Sequence, residues 1–594
     1  MIPSPRVPWQ ITGNHWVSLP CIHPADASIH LIGAMHAGLR GAIEFSGGEN
    51  FTEGASPALL RLVITLDGNV HALSDQAIAW ERESGWIPTF TFRVDDAQFR
   101  GVICAPHGRN ADLSGAVIEL TVENRSDKAT RIAIGLEGEF GHRQLRVQSA
   151  RRFDDGNRVS RGATSCVLLE GSGAESVLAV AVGADAGAEI TGARGDTHRW
   201  LINRENEVAA GESSTASFYI SVGQERDGAE AVLNVMRRRG ARALIEGTRE
   251  ALRAMEPATG SVSADRLVAR HMFFAYFAAV GRAIDDAHLY VVRSRIPWNG
   301  TGLTVRDWEA LTWVLPAVQL ADQPLARELL LRICDLHGYA PGAGVHYLDG
   351  SLFEPGFSLE GAAAFPIAVD EYIVQSGDDK VVEEPLLADS LYNAWEDIES
   401  RKHPTVPLYA TEVNPDGTSP AFPFTAHGNA VAALALDILS HTLDEKTAER
   451  VQDAAAVRAA VVRQFSADDV NGKSVLVDSI DLNGSSTAVD APSPNMYWLP
   501  YYDLMARDDS LYRRTVKQLE QQSPHELFTR CARVLGPNGA AALEWLRRAP
   551  LDGGVAAELV DDEGRAEGNG GDAALSGLIA YTAWYAVHAM GVSI

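Results

Sequence analysis

The hydrophobic period changes once along this chain, near residue 225, and that change limits the fold more than any other feature. Before it, short runs alternate apolar and polar residues: "LLRLVITLDGNVHAL", "TFTFRVDDAQFRGVICA", "AVIELTVENRSDKATRIAIGLEGEF", "SVLAVAVGA" and "TASFYISVG". They are rich in β-branched residues and are separated by Gly, Asp and Asn turns, the pattern of half-buried strands in an antiparallel sandwich. After it, "RDGAEAVLNVMRRRGARALIEGTREALRAM" takes up the helical period. It reads as a connecting helix over 227–255, broken by "EPATGSVS", with Ser263 as N-cap of the next helix.

From 263 onward the spacing predicts helices over 263–284, 304–321, 323–337, 360–376, 380–399, 425–442, 445–465, 494–506, 508–521, 524–535, 538–548 and 572–590. Helices that cannot bury their apolar stripes alone must pack on one another, as a closed ring of hairpins or as a solenoid. The loops favour the ring. Long ones carry acids, aromatics and glycines ("RSRIPWNGTGLTVRDWE", "PGAGVHYLDGSLFEPGFSLEG", "VPLYATEVNPDGTSP", "LDGGVAAELVDDEGRAEGNGGD"), while the others are plain turns. Site chemistry gathers on loops carried by a rigid scaffold. The expected fold is multidomain β + α: an N-terminal antiparallel β-sandwich over 1–225, a helical linker over 226–262 and an (α/α)6 six-hairpin barrel over 263–594.

Composition narrows the function. The 594 residues exceed one ordinary core, and the formal net charge of −27 disfavours nucleic acid and polyanionic polysaccharide. The five cysteines are widely spaced without a C-x-x-C pair, which speaks against a disulfide framework or a thiolate metal site. His271, His337, His346 and His427 show no ligand spacing, and no cofactor or metal is expected. No basic-then-apolar leader opens the chain, and no run of about 18 apolar residues predicts a membrane span. The expected location is cytoplasmic; the sequence is silent on whether the chain forms a homo-oligomer.

Four loops could carry chemistry. Glu412 lies among Tyr409, Phe422 and Phe424, where desolvation would raise its pKa toward that of a general acid. Asp416, in a Pro-Asp-Gly turn, is its understudy. Glu558 is the one acid of "GGVAAELVDDEGRAEG" flanked by apolar residues. Arg306 and Asp307 open a helix, where capping is the ordinary reading, but an Arg-Asp pair facing a cavity can also grip vicinal hydroxyls. Trp298, Trp308 and Trp313 cluster nearby, as sugar-stacking faces or as core. Glu360 precedes an Ala-rich helix, and "SPNMYWLPYYDLMARDD" offers Trp498 among three tyrosines.

Taken in order, these stretches resemble the glucoamylase family of inverting glycosidases and its six-hairpin relatives. "VRDWEALTWVLPAV" is similar to the family segment that grips the terminal sugar, and "FSLEGAAAFPIAVDEY" to the segment after it. "YATEVNPDGTSPAFPFTAHGNAVAAL" resembles the acid-bearing segment and "GGVAAELVDDEGRAEGNGGDAALSGLIAYTAW" the base-bearing one. "WERESGWIPTFTFRVDDAQFRGVICAPHG" resembles the N-terminal domain of bacterial members. The resemblance implies Glu412 as general acid and Glu558 as general base, with Arg306 and Asp307 gripping the sugar; Trp308, Trp298, Glu360, Tyr409 and Trp498 are the further substrate-binding candidates. It implies an exo-acting inverting hydrolase of small neutral oligosaccharides, α-glucosides foremost. Ala410-Thr411, where the family carries an acid or aromatic, and Trp308-Glu309, where it carries small residues, depart from the pattern. A glycoside phosphorylase, a polysaccharide lyase and a noncatalytic carbohydrate-binding protein remain the alternatives.

Overall fold

The computed structural model describes residues 7–147, 150–153, 156–171, 177–193, 198–490, 492–520 and 524–593. The chain divides into two compact units. The first comprises 1–256, 280–288 and 295–303; the second comprises 257–279, 289–294 and 304–594.

Alternation builds the first unit. Leu60–Leu66 and Ile87–Val94 bury every second residue along much of their length, so each strand offers one face to a core. An eight-stranded sheet has Gly115–Asn124 paired antiparallel with both Ala97–Cys104 and Ser213–Gly223. A five-stranded sheet is centred on Thr130–Glu139, and a six-stranded sheet runs from Gln10–Gly13 to Ala150–Arg152. One continuous apolar cluster joins them, drawing Phe92, Phe99 and Ile103 from the eight-stranded sheet and Phe45, Leu62 and Ile134 from the others. This is the antiparallel sandwich that the period-two runs imply. The expected connecting helix is two helices, Arg226–Arg239 and Ala241–Met255, both within the first unit. Gly240, at φ 83°, breaks them apart in a conformation that an L side chain resists.

The second unit is helical. Val262–Ala278 packs along Ala573–His588, so the first and last helices meet and close a ring. Leu359–Ser376, Ala426–Thr442 and Ala573–His588 are apolar nearly all round and bury most of their residues, as inner helices must. Gln323–His337, Pro385–Ser400, Ser510–Glu520 and Gly539–Arg548 each bury only one stripe. This alternation of inner and outer helices is the (α/α) barrel.

Several helix expectations change in detail. Ser261, not Ser263, caps Val262–Ala278, its hydroxyl accepting the Ala264 N–H. The 494–506 helix is only a 3-10 turn, Pro494–Trp498, because Pro500 and a left-handed Asp503 stop it. The 445–465 helix splits into Glu445–Ala448 and Ala454–Phe465, with Asp444 and Asp453 as separate caps. Position 521, the end of the expected 508–521 helix, lies outside the described residues.

Candidate active site

The inner helices present their N-terminal ends to one cleft. Ser358, Thr425 and Asp572 cap three of these helices and Ser493 caps the 3-10 turn Pro494–Trp498, each side chain accepting a backbone N–H from the first turn. The residues just inside those ends, with the turns that precede them, line a cavity of about 260 Å³. Its acids are Glu309, Glu360, Asp416, Asp478, Glu526 and Glu558. Its aromatic faces are Trp308, Trp313 and Phe528, the last two stacked with centroids 5.8 Å apart. A gathering of carboxylates at helix N-termini is electrostatically natural, because the positive ends of the helix dipoles offset part of their mutual repulsion. Helix Asp307–Glu309 continues into a π-helical turn, Ala310–Val314, which contains Trp313.

Two charge neighbourhoods are distinguishable. In one, Arg293 bonds Asp572 at 2.9 Å and lies 3.8 Å from Glu309. Burial works against the Arg293 charge, but Asp572, Glu309 and Glu558 outweigh it and hold the guanidinium firmly protonated. Glu558 belongs here. Its carboxylate is exposed to the cleft, and Oε2 accepts the Asn569 amide at 3.0 Å. Its backbone is fixed on both sides, by Asn569 O at 2.7 Å and by Leu527 N at 3.1 Å.

In the other neighbourhood, buried Glu360 has Oε1 3.2 Å from His427 Nδ1, and its Oε2 has no hydrogen-bond partner among the described residues. Asp478 is the third ionisable member. Burial pushes its carboxyl up from the ordinary range and nearby Glu360 adds to this, against His427 and the Ser493 hydroxyl.

The remaining sequence-predicted residues are placed as follows. Glu412 does not line the cleft. Its side chain is 53% exposed, Oε1 bonds Arg401 at 2.6 Å and Oε2 accepts the Phe357 N–H at 3.0 Å. The Phe357 N–H and then Arg401 hold its pKa below the usual carboxylate range, the reverse of what desolvation by Tyr409, Phe422 and Phe424 was expected to do. The same loop nevertheless delivers Asn414, Pro415 and Asp416 to the cleft. Tyr409 is fully buried, its N–H donating to Asn429 Oδ1 at 2.7 Å, and does not face the cavity. Trp298 is buried within the first unit, as core rather than as a cleft wall. Trp308 and Glu360 line the cleft. Trp498 lines a narrow recess that shares Trp308, Trp313 and His427 with the cleft and also holds Glu371, Tyr501 and Tyr581. There burial raises the Glu371 carboxyl to about 7, and the Tyr501 hydroxyl donates to it.

Arg306 and Asp307 border a neighbouring depression of about 360 Å³ with Gly342, Val413 and Asn414. Neither is free to grip a hydroxyl pair: Arg306 bonds Glu309 at 3.0 Å, and Asp307 is turned inward to His337 and Gly342. Asp307, His337 and His346, all buried, bring potential ligand atoms within 4.8 Å of one another, so a cluster able to hold a cation exists despite the absence of ligand spacing in sequence.

Sequence reasoning passed over Arg293, Asp478, Ser493, Asn495 and Glu526, and set His427 aside as a lone histidine. Asp478 reaches the cleft because Phe424–Thr425 pairs with Ser479–Ile480, a two-residue ladder with no periodic signal. An acid ending the apolar run "VLVD" was the one available hint.

No family model matches the sequence, and no curated protein matches it. Solved structures do match. A bacterial glucoamylase complexed with acarbose superposes with a TM-score of 0.61 at 10% identity, covering 98% of this chain and 94% of that one. A putative kojibiose phosphorylase from the human microbiome gives 0.57 at 12% identity, covering 98% and 86%. Among the described residues no helix is long and apolar enough to cross a membrane. With its antiparallel sheets first and its helical ring after them, the chain has the glucoamylase-like fold of a β-sandwich followed by an (α/α)6 barrel.

Proposed function

We propose that this protein is an exo-acting, inverting glycoside hydrolase of small neutral oligosaccharides, α-glucosides foremost, with Glu558 as general base. The observation that carries this reading is the convergence of Glu558 and a second group of carboxyls, Glu360 and Asp478, on one aromatic-walled cleft. Inversion needs a carboxylate to activate water and a protonated carboxyl to meet the leaving oxygen, roughly 6.5–9.5 Å apart. Glu558 is solvent-accessible, oriented by Asn569, and lines the same cleft as Arg293. Trp308, Trp313 and Phe528 supply faces for sugar rings. The cavity volume of about 260 Å³ suits a chain-end unit rather than a long polymer. The acid in this reading comes from the cleft wall; Glu412, exposed and tied to Arg401, has neither the position nor the protonation for it.

The charge of the cleft favours water over phosphate as nucleophile. Its described lining holds six carboxyl groups and a single arginine, Arg293, already engaged by Asp572. Phosphate, or the uronate of a lyase substrate, would meet uncompensated negative charge there. The test is a panel of α-linked glucose disaccharides, with and without inorganic phosphate, followed by NMR of the products. Release of β-glucose at a rate indifferent to phosphate is expected. A sugar phosphate product would replace the hydrolase by a phosphorylase, and an ultraviolet-absorbing unsaturated product would replace it by a lyase.

A further inference from the structure

We infer that Asp478 is the general acid: it is the cleft carboxyl that protonates the leaving oxygen, sharing the cleft wall with Glu360, His427 and Ser493. The inference rests on the glycosidase reading above.

The other cleft acids are committed elsewhere. Glu309 is ion-paired with Arg306 at 3.0 Å. Asp416 is exposed and spends Oδ1 on the N–H and hydroxyl of Thr418, a local turn. Glu526 is exposed and accepts the Thr529 hydroxyl at 3.1 Å. Glu360 is buried beneath the surface against His427. Asp478 differs from all four: it is partly buried, lines the cleft, and has no arginine or lysine paired with it among the described residues. The groups that act on its charge include His427, Glu360 and the Ser493 hydroxyl. Burial, and after it the nearby like charge of Glu360, shift this carboxyl toward its protonated form, against His427 and Ser493.

Its position is also fixed. The Asp478 carbonyl accepts the Ala426 N–H at 2.8 Å, and its own N–H donates to Thr487 Oγ1 at 3.0 Å. The side chain therefore leaves a backbone tied to the N-terminal end of an inner helix. In the step itself, Glu558 takes a proton from water as the water oxygen bonds to the anomeric carbon. The bond from that carbon to the leaving oxygen breaks, and the Asp478 proton goes to that oxygen. Glu558 then returns its proton to solvent and Asp478 regains one.

The test compares Asp478→Asn and Glu558→Gln on maltose and on the α-fluorides of glucose, mannose and galactose. Fluoride leaves without protonation, so the two roles separate. Asp478→Asn is expected to lower kcat/KM on the disaccharide by about 10³-fold and on its active fluoride by less than about tenfold, within the range of general acid catalysis. Retained fluoride turnover also shows that the variant is folded. Glu558→Gln is expected to lose both. A disaccharide rate within tenfold of the parent in Asp478→Asn, or equal losses on both substrates, overturns the acid assignment while Glu558→Gln still supports the glycosidase reading. If the parent protein turns over none of these substrates, the glycosidase reading falls and takes the acid with it.

Discussion

The Asp307 carboxylate lies 2.7 Å by Oδ1 from His337 Nδ1 and accepts the Gly342 N–H at 2.9 Å by Oδ2. It is thus a buried tie between a helix start and the loop that follows Gln323–His337. Gly342 sits at φ 73°, and a Cβ there would fall 2.4 Å from Ser358 O, so this loop is close-packed around the carboxylate. An Arg-Asp dipeptide that reads as a sugar clamp is, in the fold, a structural brace.

Asp307→Asn should therefore act on stability. Burial alone would raise the Asp307 pKa, but the His337 hydrogen bond and charge, with His346 and the Gly342 N–H, bring it below the ordinary value. A depressed folded pKa contributes stability that is present above the unfolded value, near 3.9, and lost as pH falls through the folded one. The variant should lose about 1–3 kcal/mol at pH 7. It should also show a flatter decline of the urea midpoint below about pH 4. An unchanged midpoint at both pH values would contradict the brace.

Glu412→Gln should leave turnover within about threefold of the parent, because the carboxylate lies outside the cleft and is half exposed. Its ion pair with Arg401 is solvent-screened and worth about 0–1 kcal/mol. Steady-state kinetics and a thermal melt on the one variant check both numbers. A large loss of turnover confined to poor leaving groups would return the acid role to Glu412.

In the sandwich, Glu44 and Arg146 form a pair 2.7 Å apart with 2% and 4% side-chain exposure, and Gln144 donates to the second Glu44 oxygen at 2.6 Å. Removing one partner leaves an uncompensated buried charge. Arg146→Met should cost about 3–5 kcal/mol, and the double variant Glu44→Gln/Arg146→Met should recover part of that loss. Denaturant melts of the three proteins form the double-mutant cycle that measures it.

Trp313→Ala removes the face stacked on Phe528 at the cleft wall. Loss of a ring contact worth about 0.5–1.5 kcal/mol, beyond its buried area, should raise KM roughly tenfold with a smaller change in kcat. A fall in kcat at unchanged KM would place Trp313 nearer the reacting bond than the stacking role requires.

The change from period two to the helical period is enough, by itself, to order a sandwich before a helical ring, because each element must bury its own apolar face whatever its neighbours are. Caps such as Asp322 and Ser358 are local too, and the helices they start run close to their expected spans. Glu558, Glu360 and Trp308 stand out in sequence by their flanking residues, and all three line the cleft. Tertiary structure decided the rest. Arg401, reaching Glu412 from the end of a neighbouring helix, turns a supposed buried acid into an exposed ion pair. His337 and Gly342 draw Asp307 inward. A two-residue ladder, remote from any periodic signal, carries Asp478 to the ends of the inner helices. A repeat of apolar residues determines which elements form, but the direction of a loop carboxylate depends on partners that only the closed ring brings within reach.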